Sequence, residues 1–370
     1  MLYRLSDQFR IDAAGRPVRP APIAEASAHY GAGHLDDAAS CCRLIITRDP
    51  RDFDALHLLG VICSDRGDHA AALDWLTRAA AVRPDVARLQ YHIGNALMAD
   101  ARHIEAESRF RRAVALDAGL VGALNNLGST LRSQDRDTEA IGLFHRALAL
   151  RPGWAPALFN LGVSQARLGR FDDAVASFRA VLAAPGDSPA EKLAEVHDAL
   201  AQALMALWQH EAALEVCRAR CALTPGDARG EWHHALALLT LGRFAEGWEL
   251  YERRWELPGF RDEDAARLAP PRVPRLAELD GKRVLLRAEQ GRGDVIQFCR
   301  YAPLVAGRAA AVVVAVPADL VALMRTLPGV DAVSDDADAE PEHDIAAALL
   351  SLPLTFGTDA ANIPATVPYL

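Results

Sequence analysis

The sequence predicts a mainly α chain: a solenoid of stacked helix pairs over residues 23–255, a linker over 256–280, and a small α/β lobe over 281–370. Three observations carry this expectation. Gly60, Gly94, Gly128 and Gly162 recur at one constant interval. An alanine stands twelve positions after each (Ala72, Ala106, Ala140, Ala174), and a bulky apolar residue four beyond that (Leu76, Phe110, Phe144, Phe178). After Trp255 the helical period stops, and short β-branched runs separated by turn residues begin.

Each position in the repeat has a physical reason. A unit of this length is one helix hairpin, which cannot bury its apolar face alone and must stack on neighbours. The Gly and Ala positions allow two helices to approach closely, and the bulky positions fill the space between them. Pro84 and Pro152 cannot continue a helix and so close two of the units. Weaker units flank these four. Ile23 to Pro50 carries Gly33 and Ala38; Lys192 to Pro225 carries Leu200, Ala201 and Ala213, five positions late after the loop Ala184–Pro189. Ala228 to about Trp255 has Gly242 at its turn, which brings the expected number of units to about seven, after an N-terminal extension over 1–22.

These registered positions resemble the tetratricopeptide repeat (TPR), whose period they share. In such arrays the first helix of each unit lines a concave groove, so the resemblance implies a scaffold that holds a protein or peptide. Asn126 and Asn160 each precede the Leu-Gly pair of their unit, one full repeat apart, with Asn95 and Asn125 nearby on the same helices. A primary amide donates and accepts at once, so a row of them suits the backbone of an extended peptide. They serve equally well as bridges or caps between neighbouring helices. The row is similar to the asparagine ladder of O-linked N-acetylglucosamine transferases, shortened here because His92 and Leu58 take its place in the earlier units. Arg132, Arg136 and Arg167 would add an anion preference to the groove or form a solvated face.

In the second part, Lys282–Ala288 and Ala310–Val316 read as buried strands, Val295–Ala306 and Pro317–Leu327 as helices, and Val330–Val333 and Asp344–Ala347 as further short strands. Strand and helix alternate, which argues a parallel, Rossmann-like sheet with crossovers. The turn after the first strand carries Gly291 and Gly293 but Ile296 where a third glycine would complete a dinucleotide fingerprint, so no cofactor is expected there. The string Ala288 to Phe298, with the join Gly242 to Trp255 and the stretches Leu349–Pro353 and Ile363–Leu370, resembles bacterial proteins that join tetratricopeptide repeats to a heptosyltransferase-like (GT-B) glycosyltransferase. That resemblance implies a sugar acceptor as a further partner and Asp294 as the base that activates its hydroxyl. The other reading of Asp294 is a cap on the following helix. The resemblance also implies a second, nucleotide-sugar lobe. With Leu370 closing the sequence after one lobe, the chain, as a fragment or a natural truncation, is expected not to transfer sugar alone.

Composition narrows the rest. A net charge of −9 disfavours nucleic acid. No apolar run is long enough to span a membrane, and Met1–Pro22 lacks a signal-type apolar core, so a cytoplasmic chain is expected. The six cysteines form no CxxC and the histidines no HExxH. Cys217 and Cys221, four apart, read as small buried residues rather than metal ligands, and the adjacent His233 and His234 point to different faces of a helix, so no metal is expected. A stripe of Phe244, Trp248, Tyr251 and Trp255 at spacings of 4, 3 and 4 is expected to face the α/β lobe. The acidic stretch Asp335–Asp344 reads as a solvated loop.

Overall fold

A computed structural model describes residues 10–11, 17–18, 22–186, 189–258, 273–337 and 340–365. The chain divides into two compact units, Met1–Pro185 and Gly186–Leu370. In the first, two short strands, β1 (Arg10–Ile11) and β2 (Pro17–Val18), pair antiparallel ahead of ten helices. The helices form hairpins: α1 (Pro22–Gly31) with α2 (Leu35–Arg48), α3 (Phe53–Asp65) with α4 (His69–Val82), α5 (Ala87–Ala99) with α6 (His103–Leu116), α7 (Val121–Arg132) with α8 (Asp137–Leu150), and α9 (Ala155–Arg167) with α10 (Phe171–Ala183).

The repeated glycines sit where the sequence pattern requires them. A Cβ on Gly94, Gly128 or Gly162 would lie 2.6 Å from the ring of Phe110, Phe144 or Phe178, and one on Gly60 would lie 2.6 Å from Leu76. Each of these four large side chains is buried inside its own hairpin. Ala72, Ala106, Ala140 and Ala174 have no exposed surface at all. Consecutive first helices also touch one another: α1 with α3, α3 with α5, α5 with α7, α7 with α9. Consecutive second helices stay further apart, so within this unit the row of first helices is the inner, concave side.

One residue in each hairpin turn has left-handed backbone. Gly33, Gly67 and Gly169 supply it in three hairpins, but Ala101 (φ 56°) and Asp135 (φ 58°) hold the same place in the other two. Trp208 (φ 59°) holds it in the second unit, 82% exposed. A side chain there costs roughly 1–2 kcal/mol relative to glycine. The repeat tolerates the strain because the flanking helices fix the turn from both sides.

The second unit continues the hairpins with α11 (Ala190–Ala206), α12 (His210–Leu223), α13 (Ala228–Thr240) and α14 (Phe244–Tyr251), the last running into a 3-10 turn over Glu252–Glu256. Gly247 holds the alanine position of the last hairpin, and Leu239 fills the space above it, since a Cβ there would lie 2.7 Å from the leucine side chain. A four-stranded, wholly parallel sheet follows: β3 (Arg283–Arg287), β4 (Ala311–Val316), β5 (Ala332–Asp335) and β6 (Ile345–Ala348), in the spatial order β5-β4-β3-β6. Strands β5 and β6 lie one or two positions later than the sequence pattern placed them. The expected helix over Val295–Ala306 is broken into α15 (Arg292–Phe298), a 3-10 turn over Cys299–Tyr301 and α16 (Ala302–Ala306); the second is shortened to α17 (Ala318–Met324). Of the linker, residues 259–272 lie outside the described part, and Leu276–Leu279 forms a 3-10 turn.

Val284, Leu286, Val312, Val314 and Val316 on one face of the sheet join a core with Val295, Cys299, Tyr301 and, from the last hairpin, Ala235, Trp248 and Tyr251. Trp248 meets Phe298 edge-on at 5.9 Å. Three members of the aromatic stripe thus face the sheet, Phe244 among them. The fourth, Trp255, does not: its indole N–H donates to Glu252 at 3.1 Å, and the Arg254 guanidinium lies 4.5 Å over its ring. The acidic stretch after β5 is not merely solvated, because Glu340 pairs with Arg287 and the Asp344 carboxylate accepts the Arg283 N–H at 2.8 Å.

Candidate functional site

The inner face of the first unit brings the singled-out asparagines together. Asn126 Nδ2 donates to Asn95 Oδ1 at 2.7 Å, joining α7 to α5. Asn160 Nδ2 donates to Asn125 Oδ1 at 3.0 Å, joining α9 to α7, and Asn125 Nδ2 donates to Asn126 Oδ1 at 3.1 Å. The four amides therefore form one chain across three consecutive first helices. A constant repeat length returns Asn126 and Asn160 to the same face, while Asn95 and Asn125 stand at other positions of the repeat and reach them across the helix–helix contact.

Arg132 closes the chain by donating to Asn160 Oδ1 at 2.9 Å. Burial lowers its pKa, and among the described residues no carboxylate is within ion-pair distance of it. Arg136 and Arg167 are committed elsewhere. Arg136 holds Glu107 at 2.9 Å and Glu139 at 2.7 Å; Arg167 holds Asp137 at 3.0 Å and also Asp135. These pairs join successive hairpins and leave Arg132 as a cation beside the amide chain; Arg88 on α5 is another, near His57 and His92. Further along, His57 and His92 meet edge-on at 5.1 Å. Burial, and then the neighbouring His92, pushes the His57 pKa down to about 4, so His57 is a neutral aromatic ring at neutral pH, with Arg83 and Arg88 close enough to act on it.

The second candidate lies at the carboxyl edge of the sheet. The neighbours of β3 are β4 on one side and β6 on the other, so the crossovers leave in opposite directions and open a crevice beyond the carboxyl ends of β3 and β6. In this chain the crevice is filled by Arg254, whose side chain is fully buried. Its guanidinium donates to Glu289 Oε1 at 2.8 Å and Oε2 at 3.1 Å, to Glu252 at 2.7 Å and to Ser351 at 2.8 Å. Leu350 N–H donates to Glu289 at 3.1 Å, and Gln290 donates to the Tyr251 hydroxyl at 2.7 Å. Burial raises the Glu289 pKa, with Arg254 opposing the rise.

Asp294 stands in the first turn of α15, beside this crevice. Its carboxylate accepts the Gly291 N–H at 3.2 Å, so it caps the helix start. Gly291 is the N-cap, and a side chain on Gly293 would meet open space. Cys217 is buried and Cys221 half-buried; burial, reinforced by nearby Cys221, pushes the Cys217 thiol up to about 12. Sequence reasoning missed Arg254, because its partners Glu289 and Ser351 lie 35 and 97 residues away.

The family described as Tetratricopeptide repeat matches residues 120–185, and again residues 23–87 and 159–228. The helix pairs α1–α4 and α7–α12 fall on those matched residues and are tetratricopeptide repeats. Protein FlbA of Caulobacter vibrioides is 41% identical over 101 residues, 26% of this chain. The match spans only 16% of that protein's length. Among solved structures, the APC/C hetero-tetramer Cut9-Hcn1 is similar with a TM-score of 0.54 at 16% identity, over 66% of this chain and 47% of that one. PilF of Pseudomonas aeruginosa is similar with a TM-score of 0.51 at 17% identity, over 59% of this chain and 96% of that one. PilW, a type IV pilus biogenesis factor, has a TM-score of 0.51 at 20% identity, over 60% of this chain and 96% of that one. At these identities the likeness is one of fold. Among the described residues no helix is long and apolar enough to cross a membrane.

Proposed function

We propose that this TPR chain is a scaffold that holds an extended peptide segment of another protein against the first helices α5, α7 and α9. The observation that carries the reading is the amide chain Asn95–Asn126–Asn125–Asn160 ending on Arg132. Asn95, Asn126 and Asn160 are half-buried and keep donor and acceptor capacity beyond the inter-amide bonds, while the buried Asn125 holds its neighbours in place. A peptide backbone offers alternating N–H and C=O groups to such a row, and a carbonyl or carboxylate suits the unpaired Arg132. The bridging role and the binding role are compatible, because the bridges fix the amides before a peptide arrives.

The test is peptide selection by display on the full chain, followed by fluorescence anisotropy with a selected peptide. Replacing Asn126 and Asn160 together with Ala is expected to weaken binding about thirtyfold, at about 1 kcal/mol per lost hydrogen bond. Unchanged affinity alongside a lowered melting temperature would leave the amides as helix bridges and remove the reading.

A second reading concerns the lobe over 281–370. Four parallel strands with a crevice beside β3 and a carboxylate in the following turn are compatible with the acceptor-side half of a glycosyltransferase, with Asp294 as base. Since the lobe is one half of such an enzyme, the test is binding: a sugar acceptor held by the full chain and weakened in Asp294→Asn would support it. Equal acceptor binding by wild type and variant removes Asp294 from the role.

A further inference from the structure

The first hairpin carries a cluster of metal-ligating side chains outside the peptide-binding face. His29 lies in the last turn of α1, His34 in the connecting turn, and Asp37 in the first turn of α2. One donor atom of each lies within 4.8 Å of the other two. His29 Nδ1 is 3.9 Å from the Asp37 carboxylate, and the rings of His29 and His34 lie 6.1 Å apart, tilted by 38°.

We propose that this hairpin binds one divalent transition-metal ion of the zinc class through His29, His34 and Asp37, with the remaining position left to water. Two imidazoles, which are borderline donors, beside one hard carboxylate favour zinc and its late first-row neighbours over magnesium or calcium. The backbone already holds the set together. The left-handed Gly33 makes the turn, and His34 N–H donates to the His29 carbonyl at 2.9 Å. The His34 carbonyl in turn accepts Ala38 N–H at 3.1 Å, which fixes the start of α2. Two donors on a tetrahedral zinc at about 2.1 Å stand about 3.4 Å apart, so the present spacing must close by roughly an ångström. The side chains of His29 and Asp37 are 33% and 66% exposed, so both have room to move. Arg66, which lines the same hollow, is held by Asp36 at 2.5 Å.

A rival donor set shares His29. Glu25 precedes it by one helical turn and Cys41 follows Asp37 by one turn, and Glu25, His29 and Cys41 also lie within 4.8 Å of one another. The ion belongs on the side with two imidazoles rather than one, and there His34 and Asp37 line a hollow at the hairpin tip together with Asp36 and Arg66, His29 reaching in from α1.

Zinc and cobalt titrations of the full chain distinguish the possibilities. Isothermal titration with Zn²⁺ alone is expected to show one site, weakened roughly tenfold or more by His29→Ala, by His34→Ala and by Asp37→Asn. Cys41→Ser and the control His145→Ala are expected to leave affinity unchanged. Co²⁺ is expected to give d–d absorption without a thiolate charge-transfer band. A thiolate band abolished by Cys41→Ser would move the ion to the rival set and overturn the assignment. Equal Zn²⁺ affinity in wild type and His34→Ala, with both folded by circular dichroism, would overturn it as well.

Discussion

Phe144→Ala is expected to destabilise the first unit by about 3–5 kcal/mol, the range for removing a buried aromatic ring from a close-packed site. The ring has no exposed surface and lies so close to Gly128 that a Cβ on the glycine would be 2.6 Å from it. Truncation would therefore leave a cavity between α7 and α8, and neither helix can move in to close it without losing its own contacts with α6 and α9. Phe144→Leu is expected to cost far less, because Leu76 makes the same approach to Gly60 in the second hairpin. The reverse change, Gly128→Ala, places a methyl against the ring and is expected to cost about 1–3 kcal/mol by overpacking. Stability in a repeat array is a sum of unit and nearest-neighbour contributions, so the loss should be local. Hydrogen exchange should show lost protection centred on residues 121–150. A measured cost below about 1 kcal/mol for Phe144→Ala, well under the usual range, would mean that the ring does not hold the hairpin closed.

The repeats were legible in the sequence because one chemical solution is written several times in the same register. Gly94 and Phe110 mean little alone, but three further copies at the same interval identify a helix–helix contact. The hairpin turns were legible only where glycine marks them, as at Gly33 and Gly242. Ala101, Asp135 and Trp208 adopt the same backbone without any residue-type signal, since the strain is imposed by the flanking helices. In the lobe, β3 and β4 stand out as β-branched runs. The edges β5 and β6 are short and rich in small residues, so their bounds slipped.

The site was legible to a different depth in each part. The repeat register placed Asn126 and Asn160 on one face, but only the structure joins them through Asn125 and Asn95. The spacing of His29, His34 and Asp37 matches neither CxxC nor HExxH and so carries no metal signal in the sequence. A hairpin turn is what brings those three together. The Arg254 network could not be read at all. A buried arginine looks like any other charge in the string Glu252–Glu256 until its distant acceptors are known.

Arg254→Ala is expected to cost about 3–5 kcal/mol at neutral pH, the usual penalty for breaking a buried ion pair from one side. The loss arises less from the missing attraction than from what remains. The Glu289 side chain is only 8% exposed, and its Oε1 would keep only the Leu350 N–H among the hydrogen bonds described. Glu252, 17% exposed, would keep Ser351 and Trp255. Burial already raises the Glu289 pKa in the presence of Arg254, so removing the cation must raise it further. A carboxyl whose folded pKa lies above its unfolded value binds its proton more tightly when folded. The resulting destabilisation is absent below the unfolded value, near 4.3, and grows as pH rises through the folded one. The variant's defect should therefore be largest at pH 7 and shrink steadily on acidification. Glu289→Gln in the Arg254→Ala background should remove that pH dependence and recover part of the stability, because a neutral amide can stay in the crevice without a counter-charge. Urea melts of wild type and the variants at pH 7 and pH 5 measure both effects. The tie between α14 and the sheet predicts where the loss falls: protection should drop together in β3, β6 and residues 244–256, and remain in α11 and α12. A defect of the same size at both pH values would mean that Glu289 is not left charged, and that Arg254 acts through packing over Tyr251 and Trp255 instead.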